Sequence, residues 1–437
     1  MSLSTQRVFS VSFLLKIIKK EFSKIPDPRN FIQNGIIPLV DHLMSGVAIF
    51  GLKFPSLLDY DRSRLLSPIE QNLKDLYFVN TPPSDTYLRE RLDEVNPSFL
   101  RSAFTKLFSF LQRGKHLEQF KFLDGYYLIS IDGTGKISSG KISCPCCCKK
   151  EYSNGKETFY HQMLGACIVH PDQSNVIPLC PEMIQNTDGS AKNDCERNAT
   201  KRFLENFRKE HPHLKVIIIE DGLASNAPHI RDLEAHNMRF ILGAKPGDHE
   251  YLFKQAEESD EVIYHEIQDE KGFLHQFHFL NGVNLNKANP DLKVNFLEYM
   301  ETSPKGKEMR FSWVTNIPIS LDNVYQLMKG GRSRWRIENE TYNTLKNLGY
   351  NFEHNYGHGK QHLITVFTLL MMLAFFIDQI QEITSNLYRS AKISVGTYRG
   401  LWMKMRVLFE CTMLGSWEMM YKIIGERLVL SFISDTS

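Results

Sequence analysis

The chain lacks a strong charge of either sign. Its 52 Lys and Arg residues stand against 50 Asp and Glu, and the formal net charge of +2 points by itself to no polyanionic partner. Evenly spaced cysteines are also missing. Four of the eight crowd into Cys144, Cys146, Cys147 and Cys148, which is not the spacing of a secreted disulfide scaffold. The longest apolar run, Leu363 to Ile377, is fifteen residues with two threonines, short of the roughly 20 needed to cross a bilayer. A buried helix is expected there, and no membrane partner. The segment MSLSTQRVFSVSFLLKIIKK has no clean apolar core ahead of a small-residue cleavage site. No internal repeat is apparent. These absences lead to the expectation of a soluble cytoplasmic protein in a reducing compartment.

What is present is an ordinary globular composition, 42% hydrophobic and 23% charged, in 437 residues, enough for two or three domains. Residues 1–122 read as helical. PPSDTYLRERLDEV offers Ser84 or Asp85 as a cap, and Phe104, Leu107, Phe108 and Leu111 recur at helical spacing. From residue 123 the pattern changes. YYLISIDG, TFYHQMLGACIVH and NVIPLCPEMI are strand candidates. Asn193 to Glu196 can close a capping box over a helix to about Arg208. KVIIIEDG, a helix near 226–237 and RFILGAKP follow. Three neighbouring strands, then helix, strand, helix, strand is the order of a ribonuclease-H-like domain. The fold class expected is therefore mixed α/β, or α+β. Its core occupies 123–249, a β-rich insertion 250–318, a further core helix 319–350 and a helical tail 351–437.

Two aspartates share one local design. Asp132 follows LISI and Asp221 follows VIIIE, 89 positions later, and each precedes a glycine. A buried-type strand ending in Asp-Gly aims its carboxylate off the sheet edge and lets a ligand approach the backbone. A single Asp-Gly is more often a turn. A third carboxylate lies in RWRIENETYNTLK, where Arg334, Glu338 and Tyr342 fall on one face of a regular helix. That alone would be a solvated Arg–Glu pair. Taken together, the three can hold hard cations: Mg²⁺ or Mn²⁺ takes oxygen ligands, and two such ions can clamp an in-line phosphodiester displacement.

SIDGTG, IIEDGLASNAP and RWRIENETYNTLKNLGY resemble the three acidic blocks of the DDE transposases of bacterial insertion sequences, in the subgroup with a β-rich insertion between the second Asp and the Glu. The 117 positions from Asp221 to Glu338 leave room for that insertion. The resemblance implies metal-dependent DNA strand cleavage and transfer at element ends. Asp132, Asp221 and Glu338 would be the ligands of two Mg²⁺ or Mn²⁺ ions, and Glu340 is the alternative third ligand. It also implies double-stranded DNA as partner, a homodimer on DNA, a helical N-terminal region that helps bind element ends, and a place beside the nucleoid. Such transposases often carry Y-x-x-R-x-x-x-E-x-x-x-x-x-x-K. Here Arg334 and Glu338 fit, whereas Gly331 and Leu345 hold the Tyr and Lys positions. Lys346 comes one residue late, about 80° around a regular helix.

Lys141, Lys149, Lys150, Arg334 and Lys346 are candidate DNA contacts, weighed against plain solvated charge. Cys144 and Cys147 form a C-x-x-C, half of a structural zinc site, with His161 or Cys195 to complete it. With no second C-x-x-C, Zn²⁺ is the minor reading. His354, His358 and His362 have helical spacing, but Gly357 and Gly359 interrupt any helix, so no metal site is expected among them. Trp313 and Trp335 read as core. The remaining alternatives are a nuclease that cuts without joining and a non-catalytic zinc-dependent DNA-binding protein.

Overall fold

A computed structural model describes residues 10–29, 37–186 and 196–426. The N-terminal region is helical: α1 (Val11–Phe22), α2 (Leu39–Gly51), α3 (Leu57–Ser63), α4 (Ser67–Tyr77), α5 (Asp85–Asp93) and α6 (Arg101–Arg113). Ser84 caps α5 by accepting from the Tyr87 amide, and Phe104, Leu107, Phe108 and Leu111 are the buried stripe of α6. These helices pack against α12 (Leu363–Thr384), which appears below at the far end of the chain. That helix is long and apolar enough to cross a membrane, but 94% of its most apolar window lies inside the protein. It is a core helix. Lys53, next to α2, makes a buried ion pair with Asp378 of α12, and Tyr350 donates to the same carboxylate.

The sheet begins with β1 (Tyr126–Ser139), β2 (Cys148–Glu151) and β3 (Glu157–Val169), with the short pieces β4 (Ile177–Pro178) and β5 (Glu182–Ile184) beside β3. The third strand read from the sequence is thus two fragments. Helix α7 (Glu196–Glu210) leads to β6 (Val216–Glu220), and α8 (Ala227–Ala235) leads to β7 (Arg239–Gly243). The capping box expected at Asn193 lies outside the described residues. β1 runs antiparallel to β3 and parallel to β6, and β6 runs parallel to β7. The order is β2-β3-β1-β6-β7, and β3 alone runs against the other four, which is the ribonuclease-H-like arrangement. The interior Ile217, Ile218 and Ile219 are fully buried, as strands covered on both faces must be.

Beyond β7 the sheet continues instead of ending. After α9 (Glu250–Glu258) come β8 (Ile263–Gln268), β9 (Leu274–Asn284), β10 (Lys293–Thr302) and β11 (Glu308–Thr315), and β11 pairs antiparallel with β7. The insertion expected to be β-rich therefore opens with a helix, and its strands extend the core sheet. Then follow α10 (Val324–Arg332), a π-helical turn (Ile337–Tyr342), α11 (Asn343–Asn347), α12, α13 (Asn386–Val395), α14 (Tyr398–Cys411) and α15 (Trp417–Glu426).

Asp93, the last residue of α5, caps α12 across the chain. Its carboxylate accepts the amides of Lys360, Gln361, His362 and Leu363 at 2.8–2.9 Å. Burial would raise this carboxyl, but the four amides hold it below its ordinary value. Asp93→Ala should cost about 1–3 kcal/mol in denaturant unfolding at neutral pH. Because the folded value is depressed, the contribution is present above the ordinary carboxylate range. The gap between variant and wild type should close as pH falls through the depressed value.

Candidate active site

The first two aspartates are placed by strand register. The parallel ladder of β1 and β6 runs from Tyr127 opposite Val216 to Ser130 opposite Ile219 and stops there. Continuing that register two residues sets Asp132 level with Asp221, on adjacent strands and on the same face. Where the ladder stops, the strands part and leave a cavity of about 500 Å³ lined by Asp132, Asp221, Glu220 and Glu196. Asp221 follows the last residue of β6, as expected. Asp132 does not end its strand: β1 carries on to Ser139 because it still pairs with β3. Only its parallel neighbour has gone. Asp221 also accepts the Leu223 amide at 3.0 Å, which fixes the turn.

The helix bearing Glu338 is clamped to β1 on both sides of that residue. Ser130 donates its hydroxyl to the Arg334 carbonyl at 3.0 Å, and the Tyr342 hydroxyl donates to the Asp132 carbonyl. Arg334 lies between two carboxylates, 2.7 Å from Glu338 and 4.0 Å from Asp132. Glu340 pairs instead with Arg336 at 3.2 Å, and Arg336 also donates to the Pro171 carbonyl. The structure brings Glu338, and not Glu340, to Asp132.

The helix is not regular, and that is the main correction to its reading. Ile337–Tyr342 is a π turn, in which the Asn343 amide reaches back five residues to the Glu338 carbonyl. One wide turn absorbs one extra residue. It therefore undoes the one-residue delay of Lys346 and returns that side chain toward the Glu338 face. Lys346 there pairs with Glu353 at 3.0 Å. Gly331 departs from the tyrosine pattern for a steric reason: a Cβ at this position would lie 2.5 Å from the Trp313 ring.

Burial pushes the Asp132 carboxyl up to about 6. Arg334 opposes the shift, while Glu338 and Glu196 add to it. Glu196 is itself raised, by burial and then by Asp221 and Glu220. This fourth carboxylate, at the start of α7, escaped the sequence reading, which used it only as a cap. It lies so close to Gly133 that any Cβ there would run into it. No spacing in the sequence announces that contact. A cavity edged by several carboxylate oxygen donors is a fit for hard divalent cations.

The basic residues separate. Lys141 is exposed, and Lys150 lies over the Tyr152 ring. Lys149 is already paired with Glu151 at 2.8 Å and Glu157 at 2.6 Å. Arg334 sits among the carboxylates. Lys136 is buried and donates to the Phe352 carbonyl; burial brings it down to about 7. Trp313 is buried, whereas Trp335, expected in the core, is 52% exposed. Cys144 and Cys147 meet His161 and, unexpectedly, His358.

A family model described as "Transposase DDE domain" matches residues 145–376, just over half of the chain. The match includes Asp221 and Glu338 and begins after Asp132. No curated protein matches. Among solved structures, the piggyBac transposase synaptic complex with hairpin DNA aligns over 100% of this chain and 88% of that one, at 10% identity and a TM-score of 0.45.

Because the Asp132 carboxyl is raised, its ionised form destabilises the cation-free fold above about pH 6. Cation-free Asp132→Asn should therefore melt above wild type at pH 8, with the gap closing as pH falls through about 6 and gone near pH 4. Added Mg²⁺ should raise the wild-type melting temperature and leave that of the variant nearly unchanged. Thermal scans at several pH values check both.

Proposed function

Because this chain belongs to the transposase DDE domain family, a family that cleaves and transfers DNA strands with divalent metal ions, we propose that Asp132, Asp221 and Glu338 are its metal ligands. The supporting observation is the level placement of Asp132 and Asp221 at the end of the β1–β6 ladder, with the Glu338 helix clamped to β1 on either side of Glu338. The oxygen donor set suits two Mg²⁺ or Mn²⁺ ions. When bound, such ions polarise the scissile phosphate and favour deprotonation of the attacking hydroxyl.

The protein's own groups do the rest. Tyr342 and Ser130 hold the Glu338 helix against β1, so the third carboxylate cannot drift from the first. Arg334 neutralises part of the carboxylate charge until substrate arrives. In cleavage, a water oxygen attacks phosphorus and the bond to the 3′ oxygen breaks, leaving a 3′-hydroxyl. In transfer, that hydroxyl attacks a target phosphodiester and a 3′ oxygen again leaves. Lys141, Lys150 and Lys346 are the side chains assigned to hold backbone phosphates. The element served is an insertion sequence, and two copies of the chain bring its two ends together.

The test uses purified protein, Mg²⁺ and labelled duplexes carrying the DNA that flanks its gene. Cleaved and joined products are expected. Asp132→Asn, Asp221→Asn and Glu338→Gln should each lower cleavage by roughly two to three orders of magnitude while still binding DNA. Any of the three cleaving at the wild-type rate removes that residue from the site. Cleavage without joining, when a free 3′-hydroxyl end is supplied, would make the protein a nuclease.

A further inference from the structure

Away from the carboxylates, four side chains from three distant parts of the chain point at one another. Cys144 and Cys147 come from the segment between β1 and β2, His161 from β3, and His358 from the loop between α11 and α12. Their ligand atoms all lie within 4.8 Å of one another. The two sulfurs are 3.6 Å apart. His161 Nε2 is 3.3 Å from Cys144 Sγ and 3.2 Å from Cys147 Sγ. His358 Nε2 is 3.1 Å from Cys147 Sγ and 3.4 Å from His161 Nε2.

These separations are close to the edges of a zinc tetrahedron. Bonds of about 2.3 Å to sulfur and 2.0–2.1 Å to nitrogen set the sulfurs about 3.8 Å apart, sulfur and nitrogen about 3.6 Å, and two nitrogens about 3.3 Å. The local backbone suits the role as well. The Cys147 amide donates to the Cys144 carbonyl at 3.1 Å, closing the C-x-x-C turn, and the Cys144 amide donates to Cys147 Sγ at 3.3 Å. His161 is fully buried, and neither Nδ1 of the two rings has a hydrogen-bond partner. What orders the rings is therefore the Nε2 side, where the sulfurs are.

We propose that Cys144, Cys147, His161 and His358 form a structural Cys₂His₂ zinc site. Four protein ligands leave no open position, so the ion's role is to tie elements together. It joins the β1–β2 connection and β3 to the loop that follows the Glu338 helix. That loop is also held by Asp93 at its far end and by Lys136 at Phe352. The second cysteine half-site missing from the sequence is replaced by histidines 17 and 214 positions beyond Cys144. Cys146, whose Sγ is 3.5 Å from the Gln361 carbonyl, stands outside the set. The site is separate from the carboxylate cluster, so its test holds whatever becomes of the catalytic reading.

Elemental analysis of the purified full-length protein, held in excess Mg²⁺ to keep zinc off the carboxylates, should read about one zinc per chain. Exchange for Co²⁺ should give the visible bands of a tetrahedral ion and a thiolate charge-transfer band, which reads the site without any variant. His358→Ala and Cys147→Ser should lose the metal, whereas Cys146→Ser and Asp132→Asn should keep it. Wild-type protein with no zinc and no tetrahedral cobalt spectrum overturns the proposal. So does zinc that persists in both His358→Ala and Cys147→Ser, or that leaves with Asp132→Asn.

Discussion

The structure around the cavity depends on a charge conflict. Asp132, Asp221 and Glu196 line the cavity where the β1–β6 ladder ends, and Arg334 lies between Asp132 and Glu338. Burial first, and then neighbouring carboxylates, raise the pKa of both Asp132 and Glu196. A fold keeps such an arrangement only when other contacts over-determine it. Here those contacts are the fully buried β6 isoleucines, the β1–β3 hairpin and the two hydrogen bonds that fasten the Glu338 helix to β1. A divalent cation would resolve the conflict, and the hard oxygen donors are suited to one.

The π turn belongs to the same design. A regular helix through Arg334 and Tyr342 could meet both clamps, but it would carry Lys346 away from the Glu338 face. The wide turn lets one sequence satisfy the clamps and the lysine together. The chain on either side is anchored independently. Gly331 packs against Trp313 of the inserted sheet, and Asp93 of the N-terminal helices caps α12. The inserted strands and the N-terminal helices thus anchor the chain before and after the Glu338 helix.

Much of this was legible in the residues. VIIIEDG and LISIDG announced buried strands because uninterrupted β-branched runs need cover on both faces, and Arg334 with Glu338 announced a pair at helical spacing. The continuation of β1 past Asp132 was not legible, because it depends on β3 still being alongside. Glu196 was hidden because its partner, Gly133, is met only in three dimensions. Lysines are mostly exposed, and only packing shows Lys136 buried against Phe352. The proposed zinc ligands were half visible: the C-x-x-C is local, but His358 reaches it through a glycine-bounded loop whose path no periodicity encodes.

The most direct test of the convergence of carboxylates is anomalous diffraction from crystals of the protein soaked in Mn²⁺. Manganese should appear bonded to Asp132 and Asp221, with Glu338 contributing to the same cluster. Manganese that binds elsewhere, or none between these aspartates at saturating concentration, would contradict it.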